Sequence, residues 1–145
     1  MEVSTDLRGQ ALLRSPLLNR GSAFTAEQRK RYCLEALLPP AINTQDQQAQ
    51  RIYQTLASIS DPLAKYRELT SLQDRNEYLF YRVLMDHLEE LMPVVYTPTV
   101  GLATQKFSEV FQRGRGVWIN PGHRGRVKEM LASGAGGRDI RLTVV

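Results

Sequence analysis

The chain carries one cysteine, Cys33, among 145 residues. A single thiol excludes an intramolecular disulfide and any thiolate metal cluster built from one copy, which leaves helix packing as its expected role. Long apolar runs are also missing: none approaches the roughly 20 residues that a membrane helix needs, so no transmembrane segment is expected. Near the N-terminus Glu2 and Asp6 come early, with no apolar stretch leading to a small-residue cleavage site. A secretory signal is therefore not expected, and the cytoplasm is the expected location. There is no internal repeat. Low complexity is confined to Ser133–Gly137, where the glycines follow a helical pattern and precede a strand-like one, the reverse of a dinucleotide-binding fingerprint. A helix stop and turn is expected there.

What is present is ordinary for a globular chain, with 42% hydrophobic and 23% charged residues, enough for one core. The net charge of +4 is unevenly spread. Residues 1–111 hold 12 basic and 13 acidic side chains, whereas residues 112–145 hold 7 and 2. A basic C-terminal end can meet phosphate, an anionic cofactor or an acidic surface, and sign alone does not choose among them. The run Arg113, Arg115, Arg124, Arg126 and Lys128 around Trp118 is the best case for nucleic acid. Against it, Trp118 sits in an apolar strand-like run that predicts burial, and no nucleic-acid motif is present.

Residues 1–15 mix Gly, Gln, Ser and charges without a period and are expected to form a flexible tail. Thr25 with Gln28, and Thr44 with Gln47, have the spacing of capping boxes. The first helix is expected to run to about Leu37 before Pro39-Pro40, and the second to bury Ala49, Ile52, Tyr53 and Leu56. Asp61-Pro62 opens a third helix, since proline tolerates the first helical position. From Asp74 to Leu91 the stripe Phe80, Val83, Leu84, Leu88 and Leu91 predicts a central helix stopped by Pro93. A further helix carries Ala103, Phe107, Val110 and Phe111 and ends near Gly114. Beyond it, Val117–Ile119 reads as a short buried strand, Arg124–Ala132 as a helix, and Ile140, Leu142 and Val144 as a second strand, together a βαβ unit.

Tyr96 lies in Met92-Pro93-Val94-Val95-Tyr96-Thr97-Pro98-Thr99-Val100-Gly101, between an apolar stretch and a Pro-bearing turn. A phenol there is placed to give up a proton, although an arbitrary tyrosine more often only packs its ring. His87 with Glu90, and Asp86 with Glu90, have a spacing at which two ligands could share a metal, but a solvated helix face is favoured. His123, in a Gly-rich turn, is expected to be a loop residue.

Four ordered motifs resemble the malic enzymes. They are Pro16-Leu17-Leu18-Asn19-Arg20-Gly21-Ser22-Ala23-Phe24-Thr25, then Leu37-Leu38-Pro39-Pro40, then Gln73-Asp74-Arg75-Asn76-Glu77 with Leu79-Phe80-Tyr81-Arg82, and last Val95–Gly101. The resemblance weakens beyond Arg115, where Gly114, Trp118-Ile119-Asn120 and the loop Pro121–Gly125 depart from the family pattern.

The resemblance implies a mostly α N-terminal domain over residues 16–113, followed over 114–145 by the start of an α/β substrate domain. It implies oxidative decarboxylation of malate to pyruvate with NAD or NADP and Mg2+ or Mn2+ in a complete enzyme. The catalytic Lys, metal ligands and nucleotide-binding domain are not expected within this chain, which alone should bind no cofactor and be inactive. Tyr96 is implied to be the general acid that protonates the enol carbon. Arg51 and Arg75 match positions that bind a dicarboxylate activator in some members, although Asn43 stands where activated members carry Glu, and solvated arginines paired with carboxylates are an equal alternative. A homodimer or higher oligomer is implied, with neither nucleic acid nor membrane as partner. The competing reading is a non-catalytic dimerisation or interaction module, or a basic nucleic-acid-binding domain.

Overall fold

A computed structural model describes residues 5–114, 116–137 and 139–141. The chain divides into two compact units, Met1–Val110 and Phe111–Val145. Both are helical, and no strand occurs among the described residues.

The first unit opens with α1 (Gly9–Leu13), where a tail was expected. Leu12 is buried with Phe24 and Leu34 in a small apolar cluster, so burial anchors this segment despite its polar composition. Both expected capping boxes form: Thr25 starts α2 (Ala26–Arg31) and Thr44 starts α3 (Gln45–Ser58), each exchanging hydrogen bonds with the glutamine three residues on. Two orphan amides are satisfied at each helix start.

α2 stops well short of Leu37. Cys33 takes φ +57°, the Leu34 N–H donates to Arg29 O at 2.7 Å and the Cys33 N–H donates to Lys30 O at 3.3 Å. This is a Schellman end with cysteine at the usual glycine position, and full burial of Leu34 accounts for it. Cys33 is consequently exposed rather than packed in a helix.

α4 (Pro62–Arg75) begins as expected, with the Asp61 carboxylate accepting from the Leu63 and Ala64 amides. The expected central helix is in fact α5 (Glu77–Asp86) and α6 (Leu88–Val95). Buried Asn76 ends α4 and caps α5 through Leu79 N at 3.0 Å, so Asp74 belongs to the preceding helix. At His87 the backbone leaves helical geometry (φ −132°, ψ 40°). Pro93 lies inside α6 instead of stopping it; the carbonyl it leaves without a partner belongs to exposed Glu89, where water can bond to it. The helix expected around Ala103 is likewise two, α7 (Thr99–Gln105) and α8 (Phe107–Val110), and Phe107 and Phe111 are exposed.

α4 packs against α5, α6 and α7, and α3 against α5. Leu56, Leu69, Leu72, Val83 and Leu91 form the centre of this core, each at most 1% exposed. Burial of each contributes about 1.5–3 kcal/mol.

The second unit contains α9 (Val127–Ala135), the helix of the expected βαβ unit, which runs through Gly134 and stops at Gly136. Gly134 is required by a close approach: a Cβ there would overlap Val117 Cγ2. Val117–Ile119 is not a strand, and Trp118 is 67% exposed, contrary to the expected burial. Ile140 also lies outside any strand, while Leu142 and Val144 fall outside the described residues. A short parallel strand needs further strands and covering helices to hold it.

Candidate functional site

Leu91 and Val94 bury the inner face of α6 and so orient the turn at its C-terminal end. The Tyr96 N–H donates to Met92 O at 2.9 Å, and Tyr96 O accepts from Val100 N at 2.9 Å. The residue is therefore tied to the end of one helix and the beginning of the next, α7, whose first residue Thr99 is buried. The side chain points away from this framework. Tyr96 is 65% exposed, and its hydroxyl has no hydrogen-bond partner among the described residues. A ring packed under the turn would be covered. A phenol on a fixed backbone with an unoccupied O–H can instead reach a bound molecule.

A second candidate lies between α3, the end of α4 and the loop before them. Arg51 and Arg75 line one cleft of ≈ 200 Å³ together with Asn19, Gly21, Gln48, Ile52, Leu72, Asn76 and Leu79. Arg51 donates to the neutral Asn43 Oδ1 at 3.3 Å, so this bond leaves its charge uncompensated. Arg75 donates to Glu68 Oε1 and to Ser71 Oγ, both at 3.3 Å. Two guanidinium forks around a cleft with an apolar floor suit a small dianion.

Sequence reasoning named both arginines but missed Asn19, Gly21 and Gln48, and it missed Arg29. The Arg29 guanidinium is buried among the carbonyls of Ser22, Phe24, Pro39, Pro40 and Ala41. Asn43, reached from that cage, donates from its amide to Ser22 O at 3.2 Å and from Nδ2 to Ser22 Oγ at 3.3 Å. No periodicity marks such residues, because their partners are distant in the chain or are backbone atoms.

Comparison with known proteins decides the family. The family model "Malic enzyme, N-terminal domain" matches residues 73–145, half of the chain and inclusive of Tyr96 and Arg75. The chain belongs to the malic enzyme family. It is 44% identical over 137 residues to an NAD-dependent malic enzyme of Acinetobacter baylyi, covering 94% of this chain and 24% of that protein. NAD-dependent malic enzymes of Vibrio parahaemolyticus and Aeromonas hydrophila are 43% and 44% identical over the same length and at the same coverage. The chain thus spans about a quarter of the length of the curated relatives it matches, 24% in each case.

Within this member of the malic enzyme family, the other candidates are accounted for locally. His87 stacks on Tyr53 with ring centroids 3.4 Å apart and planes 2° from parallel. Glu90 accepts from Tyr53 Oη at 2.6 Å and pairs with Lys65 at 3.7 Å, while Asp86 pairs with Arg82 at 2.8 Å. The Glu90 hydrogen bond, then burial and the Glu90 charge, raise the Tyr53 pKa above its ordinary value. Among the described residues no three His, Cys, Asp or Glu side chains gather as a metal would require. His123, expected in a loop, ends a short 3-10 helix (Pro121–His123), and its Nδ1 accepts from Asn120 N at 3.3 Å. In the basic run, Arg126 is paired with Glu129 by two bonds of 2.8 Å, which lowers the Glu129 pKa; Arg115 lies outside the described residues.

Proposed function

We propose that this chain is the N-terminal part of an NAD-dependent malic enzyme that oxidatively decarboxylates (S)-malate to pyruvate and CO2. Membership of the family supports the reading, and one observation carries the assignment of Tyr96: a 65% exposed phenol on a backbone fixed at both sides. In a complete enzyme, NAD would supply a hydride acceptor and a divalent metal, Mg2+ or Mn2+, would supply Lewis-acid chemistry. Among the described residues no three His, Cys, Asp or Glu side chains gather to hold such a metal. We assign NAD and metal binding and the catalytic base to the portion of such an enzyme outside this match, and expect these 145 residues alone to be inactive.

Tyr96 delivers the last proton. Its O–H donates to carbon 3 of the enol left by loss of CO2, the enol hydroxyl returns its proton to the catalytic base, and pyruvate forms as the carbonyl is restored. The resulting phenolate recovers a proton from solvent, which its exposure permits.

The cleft between Arg51 and Arg75 is read as a dicarboxylate effector site. The domain assignment follows the same reading, with residues 16–113 as the helical domain and 114–145 as the start of the substrate domain. A homodimer or larger oligomer belongs to it too. Exposed Tyr78, Tyr81 and Met85 recur along α5 at spacings of three and four residues, and exposed Leu88 and Met92 stand four apart on α6, apolar side chains suited to a second copy. No helix among the described residues is long and apolar enough to cross a membrane. A cytoplasmic location suits a reaction on soluble metabolites.

Tyr96→Phe in an enzyme carrying this segment is the test. Turnover should fall about a hundred- to ten-thousand-fold, exchange of carbon-3 hydrogens of pyruvate should collapse, and malate and nucleotide binding should persist. Exchange at the parent rate in a folded variant would make Tyr96 a packing residue.

A further inference from the structure

The cleft is held together by the loop that precedes both arginine-bearing helices, and two of the bonds run through one side chain. Asn19 Nδ2 donates to Arg75 O at 2.9 Å, and Asn19 Oδ1 accepts from Gly21 N at 2.8 Å. Arg75 O is among the last four carbonyls of α4, which no N–H within the helix can satisfy, so the Asn19 amide supplies the missing donor. The other wall is stitched to the same loop. Gln48, three residues before Arg51 on α3, donates to Arg20 O at 3.1 Å. Gly21, at φ +55°, approaches so closely that a Cβ would stand 2.8 Å from Gln48 Oε1. The loop therefore touches the α3 wall at Gln48 and the α4 wall at Arg75, and Asn19 itself lines the space between.

We infer that Asn19 is a positioning residue that sets the separation of the Arg51 and Arg75 walls, and with it the preference of the cleft for one dicarboxylate geometry. The inference rests on the reading of that cleft as a dicarboxylate site. Its carboxamide is the only group among the described residues that bonds both to the α4 terminus and to the glycine packed on α3. A carboxylate could still accept from Gly21 N but could not donate to Arg75 O, and a methyl group could do neither. With the bridge gone, Arg75 O is left without its donor, leaving the Glu77 N–H, which donates to Pro16 O at 2.9 Å, to keep the loop at the end of α4, so the register of the two walls loosens. Two guanidinium groups at a held separation discriminate between dianions by the span of their carboxylates; at a variable separation they attract any dianion.

The test compares fumarate and maleate, which have the same charge and composition but differ in the distance between carboxylates. Both are titrated calorimetrically into the parent chain and Asn19→Ala, with Arg20→Ala as control because that residue contributes only its carbonyl oxygen to the loop's bond with Gln48. The parent should prefer one isomer. In Asn19→Ala the affinity for that isomer should fall about five- to tenfold, as for loss of one or two hydrogen bonds, and the ratio between isomers should move toward one. Arg20→Ala should keep the parent ratio. Thermal unfolding identifies the folded fraction, so general destabilisation, which lowers the number of sites and leaves the ratio alone, is distinguished. A parent that binds and discriminates while Asn19→Ala keeps the same ratio overturns the positioning role but leaves the site reading intact. A parent that binds neither isomer overturns both.

Discussion

Replacement of Arg29 by Lys should be among the most damaging conservative changes in this chain. The residue is 5% exposed. Its Nε donates to Phe24 O at 2.9 Å, Nη1 to Pro39 O at 2.6 Å and Pro40 O at 3.4 Å, and Nη2 to Ser22 O at 3.0 Å and Ala41 O at 3.2 Å. The side chains of Pro39–Ile42 are exposed, so little apolar burial holds that stretch and the guanidinium is its main tether. Hydrogen bonds to a charged group contribute about 1.5–3 kcal/mol each, and the values do not add within one group. Lysine, with three donors on a single atom, can reach at most part of a cage that three separate nitrogens now span. A loss of about 3–5 kcal/mol is expected, comparable with removing one partner of a buried ion pair. For a unit of this size that lowers Tm by roughly 10–20 °C. Thermal unfolding by circular dichroism, checked by urea titration with an unchanged m value, measures it. A Lys variant melting within about 2 °C of the parent would mean that the cage carries little stability and that packing around it holds the 39–43 loop.

Ion pairing and hydrogen bonding set two further outcomes. Glu68→Gln frees the Arg75 fork from its 3.3 Å partner; an exposed pair of this kind is worth at most about 1 kcal/mol, so stability should hardly change while fumarate affinity rises about two- to fivefold, and unchanged affinity by calorimetry would count against Arg75 as a ligand. Tyr53 is held above its ordinary pKa chiefly by the Glu90 hydrogen bond, so folding favours the protonated phenol; that stabilisation is whole below pH about 10 and disappears as pH rises through the folded-state pKa. Tyr53→Phe should therefore flatten the alkaline loss of stability above pH 10, and parallel pH profiles for parent and variant would show that Tyr53 titrates alike in both states.

Much of the helical architecture was legible because its signals are local. Thr25 with Gln28, Thr44 with Gln47 and Asp61 with Pro62 act within four residues of themselves, and each starts a helix where expected. Helix ends were less legible. α2 ends at Arg31 because Leu34 is drawn into a cluster with Leu12 and Phe24, two residues far off in the chain, and that cluster also orders α1 where composition suggested a tail. Of the stripe from Phe80 to Leu91, Phe80, Val83 and Leu91 are buried and Leu84 packs partly against them, but Leu88 is 45% exposed, and periodicity was silent on the break at His87, whose ring stacks on Tyr53. Alternating apolar residues at the C-terminal end suggested strands, but backbone pairing depends on a neighbour, and Val117–Ile119 forms no ladder among the described residues.

The family and the candidate acid were determined by the sequence itself, since the Tyr96 segment and three other motifs stand in order along the chain and need no fold to be read. Only the tertiary structure decided what surrounds them. It covers the Arg29 guanidinium with carbonyls, leaves the Tyr96 phenol open, and sets Arg51 and Arg75 on one cleft bridged by Asn19. Caps and turns are stabilised by neighbours in the chain and so leave a mark in residue order; a cleft exists only when segments distant in that order pack together, and nothing in the spacing of Asn19, Arg51 and Arg75 specifies that they meet.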